Sequence, residues 1–206
     1  MDLLAELRAR KMLAIIRADG PDRALECIHT LVEAGITALE VSLTTPGAVD
    51  AIAKARSEYD PTILIGAGTV ITAAQADEVA AARAGFVVTP AITQGAHRSV
   101  DLDLPLLCGA LTPTEVVAAL DLGATAVKIF PAKVYGPGYF RELRAPFPDA
   151  PLIAVGGVDA ATAPEYLAAG AVAVGVGSPL LGDAGMGGSQ SELASRANTF
   201  RTALGV

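Results

Sequence analysis

A single lysine stands inside an apolar run that reads as a buried strand, Thr125–Phe130. Side chains alternate along a strand, so Val127 and Ile129 share one face and Lys128 lies on the other. Lysine is rarely buried, and a buried ammonium tends to lose its proton because a charge in an apolar interior is costly. A neutral amine is a nucleophile that forms Schiff bases with carbonyl substrates. Lys128 is therefore a candidate nucleophile, the alternative being a lysine near a strand end whose amine reaches solvent.

A carboxylate occupies a second apolar run, Ala38–Leu43, at Glu40. Alternation directs Leu39 and Val41 to the opposite face from Glu40. A buried carboxylate needs a charged or hydrogen-bonding partner, and Lys128 is the natural candidate. Burial would raise the pKa of the carboxyl group, whereas attraction to the lysine would lower it. A structural ion pair without chemistry is the alternative, but two such groups on interior faces favour a functional pair in which Glu40 is the acid and base.

The strands that carry these two residues belong to a regular series. Short apolar runs alternate with alanine-rich helical patterns along the whole chain, which is typical of βαβ units and a parallel sheet. The runs begin near Met12, Ala38, Thr62, Phe86, Pro105, Thr125, Pro151 and Ala171. Eight such units in 206 residues predict an α/β fold, a single-domain (β/α)8 TIM barrel over residues 1–206, with 1–11 as an N-terminal helix. A doubly wound open sheet is the alternative, and the lack of a longer switch-point connection disfavours it.

The helical patterns between the runs have recognisable ends. Apolar residues recur at helical spacing over Pro21–Ala34, Ala48–Tyr59, Thr72–Ala84, Thr112–Leu122, Ala161–Ala169 and Glu192–Leu204. Threonine or aspartate stands near several starts, and four glycines are predicted to end helices, namely Gly35, Gly85, Gly123 and Gly170.

Residues at the carboxyl ends of barrel strands carry the chemistry in this fold. Arg17 follows the first strand and could bind a carboxylate or a phosphate, or could pair with Asp19 or Asp22 at the surface. Thr69 follows two glycines that would let the backbone approach a ligand, although an ordinary turn explains them as well. Pro90 ends the fourth strand and could line a pocket. All three strand-end residues are candidates for substrate binding.

Two glycine-containing loops near the C-terminus predict a phosphate site. The seventh run ends in Gly156, Gly157 and Val158, and the eighth ends in Gly177 and Ser178. Barrels of this type often bind phosphate with the loops after strands seven and eight and the N-terminus of a short helix. The Ser178 hydroxyl is predicted to bind the ligand and to cap the helix that follows it. Both loops have the composition such a site requires, which favours phosphate binding over plain turns.

Composition excludes several classes of partner. The net charge of −7 and the lack of any basic run argue against nucleic acid. No apolar stretch is long enough for a membrane span, and the charged start of the chain has no small-residue cleavage site, so a cytoplasmic protein is expected. Cys27 and Cys108 are expected to be free thiols. His29 and His97 form no metal motif, and neither a dinucleotide fingerprint nor a nucleophile elbow is present, so neither metal nor cofactor is expected.

These motifs, in this order, resemble those of the 2-keto-3-deoxy-6-phosphogluconate and 6-phosphogalactonate aldolases. They are Glu40 in LEVSLTTP, Gly66–Val70 in GAGTV, Lys128 in VKIFPA, Gly156–Val158 in VGGV, and Gly177 with Ser178 in VGS. The resemblance extends from about Arg17 to Leu181. It implies a class I, Schiff-base pyruvate aldolase on a (β/α)8 barrel, usually a homotrimer, that acts on a sugar-acid phosphate without a cofactor.

The resemblance also implies a role for each matching residue. Lys128 would form the imine and Glu40 would be the acid and base. Arg17 and Thr69 would hold the substrate, and Pro90 would line the pyruvate end. The phosphate would bind to Gly156, Gly157, Val158, Gly177 and Ser178. Lys133 ranks far below Lys128 as the nucleophile, because after Pro131-Ala132 it would lie in a loop, solvated and protonated.

One departure from the family pattern bears on the substrate. Phosphogluconate-type members carry an arginine after the glutamate strand, where this chain has Thr44. Phosphogalactonate members have a small polar residue there, and their continuation after the lysine strand resembles Tyr135–Tyr139. The galactonate-derived substrate is therefore expected, with the gluconate-derived epimer or 4-hydroxy-2-oxoglutarate as alternatives. A phosphate-binding isomerase or epimerase and a non-catalytic sugar-phosphate binder are alternatives of other classes.

Overall fold

Eight parallel strands close into a barrel in chain order in the computed structural model, which describes residues 2–206. The strands are β1 Met12–Ile16, β2 Ala38–Ser42, β3 Leu64–Gly68, β4 Val87–Val88, β5 Leu106–Ala110, β6 Ala126–Ile129, β7 Leu152–Val155 and β8 Ala173–Val176. Strand β8 pairs in parallel with β1, which completes the ring. The predicted single-domain (β/α)8 TIM barrel is confirmed, and closure excludes the open doubly wound sheet.

Helices separate the strands and cover the outside of the barrel. They are α1 Leu3–Arg10, α2 Pro21–Glu33, α3 Ala48–Glu58, α4 Ala73–Ala81, α5 Gln94–Asp101, α6 Pro113–Asp121, α7 Gly136–Arg144, α8 Ala163–Ala168, α9 Ser178–Leu181 and α10 Gln190–Leu204. Two 3-10 turns, Ala132–Val134 and Ala184–Met186, lie in loops. Thr72 and Thr112 cap α4 and α6 through their hydroxyls, which explains why these helices begin where the sequence indicates.

The predicted glycine ends of helices are confirmed at three of the four positions. Gly35, Gly123 and Gly170 have φ values of 83°, 100° and 101°, the left-handed conformation typical of a helix end. The prediction for Gly85 is wrong, because α4 already ends at Ala81 and Arg83 adopts the left-handed conformation instead, at φ 61°.

Strand side chains separate into two layers. The inner face forms one cluster, composed of Leu13, Ile15, Ala38, Leu64, Phe86, Val88, Leu107, Ala126, Ile153, Val155 and Ala173, together with Leu3 and Leu7 of α1. The alternate residues, such as Leu39 and Val127, pack outward against the helices. Because α1 leads into β1 at the amino end of the barrel, its leucines fill that end. Polar groups inside the barrel are thus confined to the carboxyl end of the strands.

Candidate active site

Lys128 lies on the inner face of β6. Its neighbour two residues earlier, Ala126, belongs to the inner cluster, and strand register places Lys128 between Gly109 of β5 and Ile153 of β7. The residue is only 6% exposed, so its side chain does not extend into solvent as the alternative interpretation required. The Nζ atom lies 5.4 Å from the centroid of the Phe130 ring, a cation–π distance. The amine is therefore enclosed at the carboxyl end of the barrel.

Glu40 lies on the inner face of β2, on the opposite side of the barrel from β6. It is 1% exposed, and neither carboxylate oxygen accepts a hydrogen bond from any residue in 2–206. Burial raises the pKa of Glu40, while the positive charges of Lys128 and Arg17 act in the opposite direction. A carboxyl group in this environment is poised to hold a proton and to release it.

Glu40 and Lys128 do not form a direct ion pair. Within the described part of the chain, no carboxylate oxygen lies within 4.0 Å of the Lys128 amine. The sequence names Lys128 as the charged partner of Glu40, and the Lys128 charge does lower the pKa of Glu40, although the two side chains come from opposite walls and make no direct contact. A purely structural ion pair between them therefore has no support. Each group instead points into the space between the two walls.

Two glycines of β3 make room for interior side chains. A Cβ atom on Gly68 would overlap the Glu40 carboxylate, and it would lie 2.5 Å from the Cγ and Cδ atoms of that side chain. A Cβ on Gly66 would lie 2.5 Å from the Phe86 ring. The sequence alone is compatible with two roles for these glycines, a close approach to a ligand or an ordinary turn. The structure places them within β3, where they accommodate interior side chains.

Three hydroxyl groups lie close together where β2 and β3 end, beyond Glu40. The Ser42 hydroxyl, two residues beyond Glu40 on the same face, lies 2.9 Å from the hydroxyl of Thr44 and 2.9 Å from that of Thr69. Thr69 has a φ of 62°, which is unusual for a β-branched residue and marks local strain. Thr44, whose position distinguishes the chain from the phosphogluconate-type pattern, is therefore one of three hydroxyl-bearing residues in contact here. Ser42 was assigned to the inner face from the sequence but not to the site.

Pro90 follows the short strand β4 and lies against β5. A Cβ on Gly109 would overlap the Pro90 backbone, and Gly109 is the register partner of Lys128. The preceding residue, Thr89, is fully buried, and its hydroxyl donates to the Cys108 sulfur at 3.7 Å. Pro90 is therefore next to the strand that flanks the lysine.

A cavity of about 300 Å³ lies beside the pair, between the loops after β7 and β8. All five residues of the predicted phosphate site line it, namely Gly156, Gly157, Val158, Gly177 and Ser178. Gly156 and Gly157 have φ values of 96° and 78°, which favour glycine. The predicted cap is wrong in detail, since α9 begins at Ser178 itself and Gly177 is its N-cap. Arg17 and Lys133 also line the cavity, and sequence reasoning had not placed Lys133 there.

Phe130 connects the two parts of the site. Its ring lines the cavity and lies over the Lys128 amine, and it is 41% exposed. A second cavity, of about 500 Å³, opens at the amino end of the barrel beside Arg8 and Lys11 and contains none of the predicted site residues. The barrel mouth thus combines a buried lysine and carboxylate with an adjacent open cavity.

Three findings bear on the expected absences. Among residues 2–206, no group of three or more histidines, cysteines, aspartates and glutamates is arranged to hold a metal ion. No helix in the same range has the length and hydropathy needed to cross a membrane. Cys27 and Cys108 are buried and free.

Comparison with families of known proteins places the chain among the aldolases. The matching family model describes KDPG and KHG aldolase and covers residues 3–190, so the chain belongs to the KDPG and KHG aldolase family. The family assignment inferred from the motifs is thereby confirmed. The chain is a carbon–carbon lyase of the class I pyruvate aldolase type.

Relatives come from both branches of the family. The 2-dehydro-3-deoxy-6-phosphogalactonate aldolase of Escherichia coli strain K12 is 36% identical over 171 residues, 82% of this chain and 83% of that protein. A solved structure named "Native KDPGal structure" matches with a TM-score of 0.88 at 34% identity, covering 94% of this chain and 93% of that one. KDPG aldolase from Legionella pneumophila, with pyruvate captured at low pH as a covalent carbinolamine intermediate, matches with a TM-score of 0.87 at 29% identity. The match covers 96% of this chain and 97% of that one.

Proposed function

We propose that this enzyme is a Schiff-base aldolase that cleaves 2-dehydro-3-deoxy-6-phosphogalactonate to pyruvate and D-glyceraldehyde 3-phosphate. The observation that carries the proposal is the enclosed Lys128 amine facing the unpaired, buried Glu40 carboxyl group across the carboxyl end of the barrel. The covalent pyruvate adduct of the Legionella pneumophila relative supports imine chemistry on this fold. The glycine-lined cavity beside the pair suits the phosphate end of the substrate.

The first step joins substrate and enzyme. The Lys128 amine, in its uncharged form, attacks the C2 ketone to give a carbinolamine, and loss of water from that carbinolamine leaves an iminium ion. Glu40 supplies the proton that converts the departing hydroxyl into water. The raised pKa of Glu40 serves this step, because burial favours the protonated form of the carboxyl group and that form is the general acid.

The second step breaks the carbon–carbon bond. Glu40, now a carboxylate, takes the proton of the C4 hydroxyl, directly or through one water molecule. The C4–O bond becomes a carbonyl, the C3–C4 electron pair moves into the iminium, and D-glyceraldehyde 3-phosphate leaves an enamine on Lys128. Protonation of the enamine at C3 and addition of water to the imine then release pyruvate and restore the amine.

The remaining residues hold the substrate. We assign Arg17 and Thr69 to binding of its polar groups and Pro90 to the wall of the pyruvate end. Gly156, Gly157, Val158, Gly177 and Ser178 are assigned to the phosphate, through backbone N–H groups and the Ser178 hydroxyl. The site needs neither a metal nor a cofactor for this chemistry, because the iminium itself accepts the electron pair.

Two observations favour the galactonate-derived epimer. The Escherichia coli phosphogalactonate aldolase shares 36% identity with this chain. Thr44 occupies the position of the phosphogluconate-type arginine, and its hydroxyl contacts Ser42. The gluconate-derived epimer is the second candidate, supported by the KDPG aldolase relative. Comparing kcat/KM for the two epimers decides between them, with a higher value for the galactonate-derived epimer expected.

The imine is tested by trapping. We expect borohydride added with pyruvate to leave a reduced adduct on the peptide that contains Lys128, detected by mass spectrometry, and no adduct when pyruvate is omitted. A phosphate-binding isomerase or a non-catalytic binder would give no adduct. An adduct found only on Lys11, Lys54 or Lys133 would contradict the assignment of Lys128.

We also propose a cytoplasmic homotrimer. The family resemblance implies the trimer, and several large apolar side chains are exposed on the described chain, including Ile71, Val134 and Met186. Two buried free thiols suit a reducing compartment. Light scattering should give a mass three times that of the 20.8 kDa chain, and cell fractionation should recover the activity with the cytoplasm. A monomer mass at working concentration would contradict the trimer.

A further inference from the structure

Two contacts hold Lys133 against the glycine-lined cavity, one made by its backbone N–H and one by the methylene groups of its side chain. It lies in the 3-10 turn Ala132–Val134, and its N–H donates to the Gly156 carbonyl at 3.1 Å. A Cβ on Gly157 would lie 2.8 Å from the Cβ and Cγ atoms of Lys133 and would overlap its Cδ. The absence of a side chain on Gly157 thus lets the methylenes of Lys133 pack closely on the loop. The lysine lines the cavity instead of extending freely from the surface.

The amine of Lys133 has no carboxylate partner. Across residues 2–206, no carboxylate oxygen lies within 4.0 Å of Lys133 or of Arg17, although the chain carries a net charge of −7. Both cations line the same cavity, Arg17 from the end of β1 and Lys133 from the turn after β6. Two unpaired cations that share a glycine-lined cavity in an acidic protein create a local positive field that favours an anion.

We propose that Lys133 is a phosphate-binding residue of this enzyme and that it selects phosphorylated over non-phosphorylated substrates. This inference rests on the proposed aldolase function and deepens it. A phosphate monoester carries close to two negative charges at neutral pH and has three acceptor oxygens. Backbone N–H groups of the loops supply geometry, whereas Arg17 and Lys133 supply the charge that those loops lack. The exposed amine of Lys133 can therefore meet an anion that enters the cavity.

Kinetics of aldol addition test the inference. Pyruvate is combined either with D-glyceraldehyde 3-phosphate or with D-glyceraldehyde, in the wild-type enzyme and in Lys133→Gln. We expect the KM for the phosphorylated aldehyde to rise about tenfold, the usual scale for loss of one charge-assisted hydrogen bond, with kcat nearly unchanged. The kcat/KM for D-glyceraldehyde should stay within twofold. Lys133→Arg should retain most of the selectivity, and Lys54→Gln on α3 is the matched surface control.

A second measurement uses the wild-type protein and needs no variant. Acetylation of exposed lysines with a limiting reagent is followed by mass spectrometry, with and without inorganic phosphate. We expect phosphate to slow modification of Lys133 at least about fivefold and to leave Lys54 unaffected, since occupied ion pairs shield an amine.

The outcomes separate this inference from the proposed function. If Lys133→Gln keeps the wild-type preference for the phosphorylated aldehyde, or if phosphate fails to protect Lys133, the inference is wrong even where the Lys128 adduct forms. If no adduct forms on Lys128 but phosphate still protects Lys133, the aldolase proposal fails and the anion site stands. If Lys133→Gln lowers kcat/KM equally for the phosphorylated and the non-phosphorylated aldehyde, Lys133 has a structural role and the inference is also wrong.

Discussion

Lys128 and Lys133 belong to neighbouring segments of the chain and have opposite environments. Lys128 is the third residue of β6, 6% exposed, with its amine facing an acid across the barrel. Lys133 is the middle residue of the turn that follows, exposed, with its stem on Gly157 and its amine free of carboxylates among residues 2–206. One amine is thereby enclosed in the barrel, and the other lies at the edge of the open cavity. Position relative to the strand end accounts for the difference.

The two parts of the site also differ in what holds them. The Glu40 and Lys128 side chains are positioned by strand register and by the apolar layer beneath them, so their geometry depends on the barrel core. The cavity is built from loops in which Gly156 and Gly157 adopt left-handed conformations, and its cations are exposed. Changes at the first part should therefore alter the rate of the chemical step, and changes at the second should alter substrate affinity.

The largest effect is expected at Lys128. Lys128→Met removes the nucleophile while keeping an unbranched apolar stem, and it should lower kcat/KM at least about 10³-fold. Pyruvate release coupled to lactate dehydrogenase measures the loss. Lys54→Met, at an exposed position on α3, is the matched control and should behave as wild type. If Lys128→Met still cleaves substrate at more than a few per cent of the wild-type rate, Lys128 is not the nucleophile.

Replacement of the acid should have the next largest effect. Glu40→Gln keeps the shape of the side chain and removes the proton shuttle, so kcat should fall about 10²-fold, the usual contribution of a positioned acid and base. Binding of inorganic phosphate, measured by calorimetry, should be unchanged because the cavity is separate. A variant that loses phosphate affinity as much as turnover would contradict the proposed division between chemistry and binding.

The same variant should show the cost of burying the carboxylate. Because burial raises the pKa of Glu40, the folded state binds more protons than the unfolded state as pH rises above about 4.5, the ordinary value for glutamate. The wild-type free energy of unfolding should therefore fall relative to that of Glu40→Gln as pH increases through this window. Urea unfolding of both proteins at pH 4 and pH 8 measures the difference. If the wild-type free energy of unfolding instead rises relative to that of Glu40→Gln as the pH increases, the pKa of the carboxyl group is lowered and not raised.

Gly68→Ala tests whether the position of the acid matters apart from its chemistry. A methyl group at this position would overlap the Glu40 carboxylate and displace it, and kcat should fall about 10-fold or more although both reactive groups remain. Gly138→Ala is the matched control, since its Cβ would meet only the Arg141 guanidinium at 3.8 Å. Wild-type turnover in Gly68→Ala, with an unchanged melting temperature, would mean that Glu40 tolerates displacement.

Sequence patterns were sufficient for the barrel and for the inward placement of Glu40 and Lys128, because both depend on local regularities. Eight apolar runs of similar spacing predicted eight strands, and alternation assigned Lys128 and Glu40 to the inner face. A charged residue in an otherwise apolar run is visible without coordinates. The glycine loops were visible for a similar reason, since their composition recurs at two successive strand ends.

Contacts between distant segments could not be predicted. Nothing in the sequence indicates that the stem of Lys133 packs on Gly157, or that Gly68 makes room for Glu40, because each pair is joined only when neighbouring strands align. The gap between Glu40 and Lys128 was also missed. Whether two inward side chains meet depends on the width of the closed barrel, which no single strand encodes.

The smallest effect is expected among the neutral hydroxyls. Ser42→Ala removes the group that lies 2.9 Å from both Thr44 and Thr69, so the strained Thr69 loses the contact that orients its hydroxyl. We expect the KM for pyruvate in aldol addition to rise about 3- to 5-fold and stability to fall by about 1–2 kcal/mol, as for two lost part-buried hydrogen bonds. Thr44→Val breaks only one of the two contacts and should change KM less. A fall in stability with an unchanged KM would assign Ser42 to the barrel wall alone, because a neutral hydroxyl that orients Thr69 for substrate must alter affinity when it is removed.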